Sequence, residues 1–315
     1  MFRKIVVPLD GSPTAAAALP AARTLAKAAQ ADVLLVRVAP ATDEGPEQGR
    51  QVAEAERSLA RVATELAGAE LRVSTQVRHG AAAEEIVGAT REQHGDAVVM
   101  ATHGRSGLPR ALLGSVAERV VASSPVPVLL VRPGGQRMTR LETLLVPVDG
   151  TPGGALALSA AIGLARAAGA RIVLLEVAVP VPLWLFASEG GALLAANVDP
   201  SWDTQAQEAA ATYVGGLARR IGQTGLEAEG RAEIGDPTAV VAATADQVGA
   251  DLVVMSTHAL TGPARAVLGS VAGGVVRTAG RPVLLIRRDR RADVQVRISA
   301  QDKVAGTAPA LAGGG

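Results

Sequence analysis

The chain has 315 residues, a length typical of about two domains. It carries 31 Lys and Arg against 30 Asp and Glu, and this net charge of +1 argues against a nucleic-acid binder, whose affinity depends on a large basic field. Aromatic residues make up only 2% of the chain, too few to form platforms on which bases stack. Because the chain has no cysteine, disulfides, thiol catalysis and cysteine-ligated metal sites are excluded.

Two apolar stretches bear on the relation of the chain to membranes. The first ends at Asp10 and is shorter than the core of a signal peptide, so we expect a cytoplasmic protein. The second, 177–198, approaches the length of a membrane span. Two prolines, two glycines and Glu189 interrupt it, so we expect no stable membrane insertion.

In the first half of the chain, short apolar runs alternate with alanine-rich stretches of helical length. The runs predict strands at about 3–9, 32–38, 71–77, 96–101 and 127–132. The stretches between them predict helices at 13–29, 48–67, 82–94 and 114–123. Ser12-Pro13 and Thr151-Pro152 each place a capping hydroxyl before a proline that suits the first helical position. The alternation favours an open parallel sheet covered by helices on both faces.

The sequence repeats on the scale of a whole domain. Residues 5–12 (IVVPLDGS) recur at 144–151 (LLVPVDGT), and residues 96–103 (DAVVMATH) recur at 251–258 (DLVVMSTH). The offset grows from 139 to 155, so the second copy carries 16 extra residues, which we place at about 180–203. A repeat of this length is too long for a solenoid unit and indicates domain duplication. The predicted fold class is therefore α/β, with two tandem Rossmann-like open five-stranded parallel sheets flanked by helices.

The domain boundaries follow from the repeat and from composition. We assign the first domain to 1–133, a linker rich in glycine and arginine to 134–140, and the second domain to 141–288. The tail, 289–315, has no periodic apolar face and ends in glycines, so we predict that it is disordered.

In the first copy, the loop after the first strand, with Asp10, and the loop after the fourth strand carry the residues best suited to a ligand. In an open α/β sheet, ligands bind beyond the carboxyl ends of the strands where the strand order reverses. In the loop after the fourth strand, Gly104 and Gly107 permit backbone N–H groups to turn towards an anion, and Gly114-Ser115 opens the next helix, whose positive end favours phosphate. Neither a Walker loop nor a GxGxxG motif occurs. The spacing therefore predicts a phosphate cradle, and the alternative is that these glycines serve only the turns of the loop.

Three segments in a fixed order resemble the universal stress protein family in its tandem two-domain form: VPLDGS, THGRSG…LLGSVAERV and PVPVLLV. The resemblance covers about residues 1–132 and 141–287. Nucleotide-binding members of that family carry Gly-x2-Gly-x9-Gly-Ser/Thr. The nine residues between Gly104 and Gly114 fit this signature, whereas Ala101 stands at its first glycine.

The resemblance implies that the first copy binds ATP or another adenine nucleotide, with or without Mg²⁺. It places the two glycines of the loop and Gly114-Ser115 at the phosphates, Asp10 beside the adenosine and Val38 at the adenine. The full set of implied contacts is Pro8, Leu9, Asp10, Ser12, Val38, Met100, Thr102, His103, Gly104, Arg105, Gly107, Gly114, Ser115 and Val116.

The second copy departs from this pattern. Ala259 and Leu260 stand where the first copy has Gly104 and Arg105, and a methyl group at a position of close approach moves the backbone away from a phosphate. The next helix carries Gly273-Gly274, which is expected to weaken it. We therefore predict that the second copy binds nucleotide weakly or not at all.

Several of the implied contacts also have a purely structural interpretation. Asp10 and Asp149 are equally suited to bracing the turn after a strand. His103 and His258 are better explained as buried histidines bonded to a neighbouring loop than as catalytic bases, because no acid or nucleophile repeats beside them. Arg105 is suited to a phosphate or to an exposed salt bridge.

Three functions remain possible from the sequence. The first is that of a stress-response protein whose conformation or choice of partner depends on whether an adenine nucleotide is bound. The second is a weak ATPase, against which stands the lack of a carboxylate pair or lysine near the glycine loop. The third is a nucleotide-free protein that binds partners through the aromatic residues of its insertion, Trp184, Phe186 and Trp202. We also expect strands 127–132 and 282–287 to pair, giving an intramolecular pseudo-dimer that is itself able to form a homodimer.

Overall fold

A computed structural model describes residues 2–39, 46–68, 70–103, 113–180, 201–258 and 268–288. Most of the predicted insertion, the whole predicted tail and the centre of the glycine loop, with Gly104, Arg105 and Gly107, lie outside these residues. Among the described helices, none is long and apolar enough to cross a bilayer.

The first domain alternates strands and helices as the sequence predicts. Its strands are β1 (Lys4–Pro8), β2 (Asp32–Ala39), β3 (Val73–His79), β4 (Ala97–Ala101) and β5 (Val128–Val131). Its helices are α1 (Pro13–Ala16), α2 (Leu19–Ala29), α3 (Pro46–Ala67), α4 (Ala82–Glu92) and α5 (Ser115–Ser123). The predicted helix 13–29 is thus divided in two, because Pro20 lies in the first turn of α2 and has no N–H with which to continue α1.

The second domain repeats this order. Its strands are β6 (Thr143–Pro147), β7 (Arg171–Ala178), β8 (Ala228–Ile234), β9 (Leu252–His258) and β10 (Val283–Arg288). Its helices are α6 (Pro152–Ala168), α7 (Trp202–Gly222), α8 (Pro237–Gln247) and α9 (Ser270–Thr278). The chain between α6 and β7 is short because Gly169 ends α6 in the left-handed conformation, at φ +68°.

All ten strands belong to one sheet, in the order β3-β2-β1-β4-β5-β10-β9-β6-β7-β8. Neighbouring strands within each domain are parallel. β5 and β10 pair antiparallel, with Leu129 opposite Leu284. The predicted α/β class with two parallel five-stranded units is confirmed, and the antiparallel pair joins them into a single mixed sheet. The strand order reverses between β1 and β4 and again between β6 and β9, which creates two switch points.

Apolar strands lie at the centre of the fold because helices cover both faces of the sheet. In β1, Ile5 and Val7 belong to one hydrophobic core and Val6 to the other, and all three are fully buried. This two-sided burial explains why the strands read as continuous apolar runs rather than as alternating ones.

Both helices that follow the first strand of a domain begin with the predicted cap. The Ser12 hydroxyl accepts a hydrogen bond from the backbone nitrogen of Ala15, at 3.1 Å. The Thr151 hydroxyl accepts one from that of Gly154, at 3.3 Å. These bonds satisfy amides that the first helical turn leaves without a backbone partner.

The amino ends of the switch-point strands are joined by an aspartate in each domain. In the second domain, Asp251 Oδ2 accepts from the backbone nitrogens of Glu142 and Thr143, at 2.9 and 3.1 Å. In the first, Asp96 makes the same pair of bonds to Arg3 and Lys4, at 2.7 and 3.0 Å. Each carboxylate therefore holds the first and fourth strands in register on either side of a switch point.

One glycine of the pair in α9, Gly274, has a packing role that sequence alone does not reveal. α9 spans nine residues, as does α5, so the glycines do not shorten it. A Cβ added at Gly274 would lie 2.5 Å from Cγ2 of Thr238 in α8. Gly274 therefore lets α8 and α9 approach closely.

Candidate functional site

A cavity of about 350 Å³ opens at the switch point of the first domain, where β1 and β4 end. Its walls come from the ends of these strands, from β2, from α1 and α4, and from the first turn of α5. The lining residues are Pro8, Leu9, Asp10, Ala15, Val36, Val38, Ala82, Ile86, Met100, Ala101, Thr102, His103, Gly114, Ser115, Val116 and Ala117. The cavity is thus mainly apolar, with polar groups near the strand ends.

Asp10 stands at the end of β1 in a fixed turn. Its Oδ1 accepts hydrogen bonds from the backbone nitrogen and the hydroxyl of Ser12, at 2.9 and 2.6 Å. Gly11 between them has φ +82°, a conformation that favours glycine. The structural interpretation of Asp10 as a turn brace is therefore confirmed, and the residue also lines the cavity.

The end of β4 presents Thr102 and His103. The Thr102 hydroxyl and Nδ1 of His103 are 3.0 Å apart, within hydrogen-bond distance. Nε2 of His103 is buried and has no partner among the described residues. The backbone nitrogen of Gly114 donates to the Thr102 carbonyl, at 2.9 Å, so the start of α5 is joined to the end of β4. This bond places the N-terminus of α5 against the cavity.

β2 contributes to the cavity with one face only. Val36 and Val38 line it, whereas Arg37 between them points to the other side of the sheet. There the Arg37 guanidinium lies over Gly11, with Nη1 3.0 Å from the place of a Cβ on that glycine. Its Nη2 is 4.0 Å from Oε1 of Glu54. A cation therefore stands behind the turn that holds Asp10.

The structure brings most of the sequence-predicted residues together. Ten of them line the cavity: Pro8, Leu9, Asp10, Val38, Met100, Thr102, His103, Gly114, Ser115 and Val116. Ser12 instead caps α1. Sequence reasoning missed the apolar wall formed by Ala15, Val36, Ala82, Ile86, Ala101 and Ala117, whose side chains carry no distinctive chemistry. Of these residues, only Val36 could have been predicted, because it lies two positions before Val38 and therefore faces the same side of the strand.

The second domain has a corresponding cavity of about 330 Å³ at its own switch point. Its lining residues are Pro147, Val148, Asp149, Gly154, Leu175, Val177, Val179, Pro237, Val241, Met255, Ser256, Thr257, Gly269, Ser270, Val271 and Ala272. Asp149 Oδ1 accepts from the nitrogen and the hydroxyl of Thr151, at 3.1 and 2.6 Å, as Asp10 does from Ser12. The described part of the second cavity is therefore built on the same plan as the first.

The charges behind the second cavity differ from those behind the first. Glu176 occupies the position of Arg37 in the repeat. Its Oε2 is buried and has no hydrogen-bond partner in the described part of the chain. Burial and the Asp149 carboxylate raise the pKa of Glu176. Burial also raises the pKa of Tyr213, with further contributions from Glu176 and Asp149. Two interacting carboxylates, Asp149 and Glu176, thus stand where the first domain has the Asp10 carboxylate and the cation Arg37, and Arg220 acts on Tyr213 beside them.

Across the described ranges, no group of three or more histidine, aspartate or glutamate side chains is placed to hold a metal ion. Two doubly wound parallel units, each with a cavity at its switch point, define the chain as a tandem Rossmann-like α/β protein. The family model of the universal stress protein family matches residues 1–132 and 141–287. The chain belongs to this family.

Curated relatives and solved structures agree with this assignment. A universal stress protein of Methanocaldococcus jannaschii is 33% identical over 147 residues, which cover 42% of this chain and 83% of the relative. One of Mycolicibacterium smegmatis is 28% identical over 224 residues and covers 69% of each chain. The crystal structure of a universal stress protein from Archaeoglobus fulgidus superposes with a TM-score of 0.68, at 20% identity, over 91% of this chain and 98% of that one. At 20% identity, this structural similarity shows a shared fold.

Proposed function

We propose that the chain is a stress-response regulatory protein that holds ATP, or another adenine nucleotide, in the cavity of its first domain. The observation that carries the proposal is the cavity itself, which is lined by apolar side chains together with Asp10 and the first turn of α5. Apolar pockets with a few convergent polar groups are the usual form of nucleotide and cofactor sites.

Each part of an adenine nucleotide has a counterpart in this cavity. The apolar side chains of Val36, Val38 and Met100 suit the adenine ring. The Asp10 carboxylate suits the hydroxyl donors of a ribose. The first turn of α5, with Ser115 and Val116 at the cavity, presents amides and a positive helix end that favour phosphate. We assign Gly104, Arg105 and Gly107 to the phosphates as well, from the family signature in the sequence.

The regulatory part of the proposal concerns the two domains together. The β5–β10 pair makes the sheet continuous between them. We propose that the domains act as an intramolecular pseudo-dimer, divided at the boundaries set out above, which is able to dimerise further. Nucleotide in the first domain would then set the conformation read by partners in the cytoplasm. This role needs binding and no turnover.

Calorimetric titration of the full-length protein with ATP tests the proposal. Val38→Trp places a large side chain in the first cavity, and Val177→Trp is the matched change in the second. We expect the wild type and V177W to bind ATP and V38W to lose most of this binding. Equal ATP binding by V38W and the wild type, or none by the wild type, would contradict the proposal. Recovery of unchanged ATP after incubation distinguishes binding from hydrolysis.

A further inference from the structure

We infer that the cavity of the second domain is a binding site of its own, for an uncharged adenine nucleoside rather than for a phosphorylated nucleotide. The inference rests on the proposed function for the identity of the base. It goes beyond that function, because the second cavity is given a ligand of different charge.

The first argument is shape. Asp149, Val177 and Met255 occupy the places that Asp10, Val38 and Met100 occupy in the first cavity. The volumes, about 330 and 350 Å³, are nearly equal. The part of the site that suits a base and a ribose is therefore present twice.

The second argument is an unused hydrogen-bonding group. Thr257 lines the second cavity, and its side chain is 3% exposed. Its hydroxyl has no hydrogen-bond partner within the described part of the chain. In the first cavity, the corresponding hydroxyl of Thr102 lies 3.0 Å from Nδ1 of His103. A buried polar group without a partner is costly, so the Thr257 hydroxyl indicates a ligand that completes its bonding. A hydroxyl or an amine of an uncharged ligand is sufficient for this.

The third argument is charge. Arg37 lies over Gly11 in the turn of Asp10, whereas its counterpart in β7 is Glu176, which interacts with the Asp149 carboxylate, a formal change of two charge units towards the negative. Burial and the Asp149 carboxylate raise the pKa of Glu176. In the sequence, Leu260 also takes the place of Arg105, outside the described residues. These changes disfavour an anion near Asp149 and leave an uncharged ligand unaffected.

The three arguments together separate the two halves of a nucleotide. Base and ribose are favoured by the retained wall and by Asp149, whose carboxylate accepts from hydroxyl donors. The first turn of α9, with Ser270 at the cavity, is retained, and against it stand the interacting carboxylates of Asp149 and Glu176, which disfavour a further anion. Selectivity between adenosine and ATP at this cavity is therefore electrostatic, and a charge substitution should shift it.

The experiment uses the full chain with the first cavity filled by Val38→Trp, titrated separately with adenosine and with ATP. We expect V38W to bind adenosine at least about tenfold more tightly than ATP. The double variant V38W/V177W should bind neither ligand. In the V38W background, Glu176→Arg should narrow the preference for adenosine by about tenfold, and Glu176→Gln by less. Thr257→Val should weaken adenosine binding by about fivefold or more.

Circular dichroism shows which variants are folded. If Glu176→Arg does not fold, Glu176→Gln still tests how the charge at this position affects the preference for adenosine. The inference is overturned if V38W binds ATP as tightly as adenosine, or binds neither. It is also overturned if the adenosine bound by V38W persists in the double variant. If V177W does not bind ATP, the result contradicts the proposed function of the first domain and not this inference. The preference of V38W for adenosine or ATP still tests the inference about the second cavity.

Discussion

The backbone nitrogen of Gly114 bonds to the carbonyl oxygen of Thr102, and a Cβ added at residue 114 would lie 2.9 Å from that same oxygen. The glycine thus permits a contact between the start of α5 and the end of β4 that other residues would prevent. At Gly269, the corresponding position of the second domain, an added Cβ meets no described atom within 4 Å. The two repeats therefore impose different demands on equivalent glycines.

This difference predicts opposite outcomes for matched substitutions. Gly114→Ala should move the N-terminus of α5 away from β4 and weaken ATP binding at least about tenfold, because the helix amides lose their alignment with the cavity. Gly269→Ala should leave ATP binding unchanged. Calorimetric titration of both variants provides the measurement. If the two variants bind ATP equally well, the close approach at Gly114 does not support the site.

A second prediction concerns the packing of α8 against α9. Gly274→Ala should destabilise the protein by about 1–3 kcal/mol, because the new methyl group overlaps Thr238. Gly216→Ala is the control, since a Cβ at this position of α7 has open space among the described atoms. It should stabilise the protein by about 0.5–1 kcal/mol through its higher helix propensity. Urea denaturation measures both, and a neutral Gly274→Ala would show that the helices separate easily.

A third prediction is a dependence of stability on pH at Glu176. Because its pKa is raised in the folded chain, folded protein keeps this proton to a higher pH than unfolded protein does. The stability that the protonated carboxyl contributes is therefore complete below the ordinary pKa of glutamate and is lost as the pH rises through the raised value.

Glu176→Gln removes this loss. At about pH 8 the variant should be more stable than the wild type by a few tenths to about 1 kcal/mol, and the difference should shrink towards about pH 4. The exposed residue Glu208 in α7 serves as the control, and Glu208→Gln should show no such trend. Denaturant unfolding across this pH range provides the test. A difference that grows as the pH falls would have the wrong sign.

A fourth prediction concerns the aspartate that joins β6 to β9. Asp251→Ala should destabilise the protein by about 2–4 kcal/mol, because the buried backbone nitrogen of Thr143 loses its acceptor. Asp246→Ala removes a carboxylate that is 66% exposed and bonded to Arg281, and should cost about 1 kcal/mol or less. Thermal unfolding compares the two variants. Equal losses would mean that Asp251 adds nothing beyond a surface ion pair.

Sequence alone predicts the parts of the fold that depend on local pattern. The strand-helix alternation and the caps at Ser12 and Thr151 are such features, because period and capping chemistry involve neighbouring residues. The role of Gly274 is not visible in the sequence, since it depends on Thr238 of another helix. From the sequence, Gly274 is expected to weaken its helix, whereas in the structure it permits a tight contact between two helices.

The candidate site likewise contains residues whose role the sequence predicts and residues whose role it does not. Asp10 is predictable because its motif and its turn lie within three consecutive residues. The contrast between Arg37 and Glu176 is not, because it becomes meaningful only when β2 places Arg37 over Gly11 and β7 places Glu176 where the charge of Asp149 acts on it. Charges that act across strands require the register of the sheet.

The antiparallel pair of β5 and β10 has a consequence for any partner of this protein. Parallel strands carry their ligands at their carboxyl ends, and these ends point in opposite directions in the two domains. The two cavities therefore open at opposite margins of one sheet, roughly 20 Å apart across the strands. A partner that binds at the carboxyl ends of the strands of one domain therefore faces the cavity of that domain alone. Any coupling through the sheet between ligands in the two cavities would pass through β4, β5, β10 and β9.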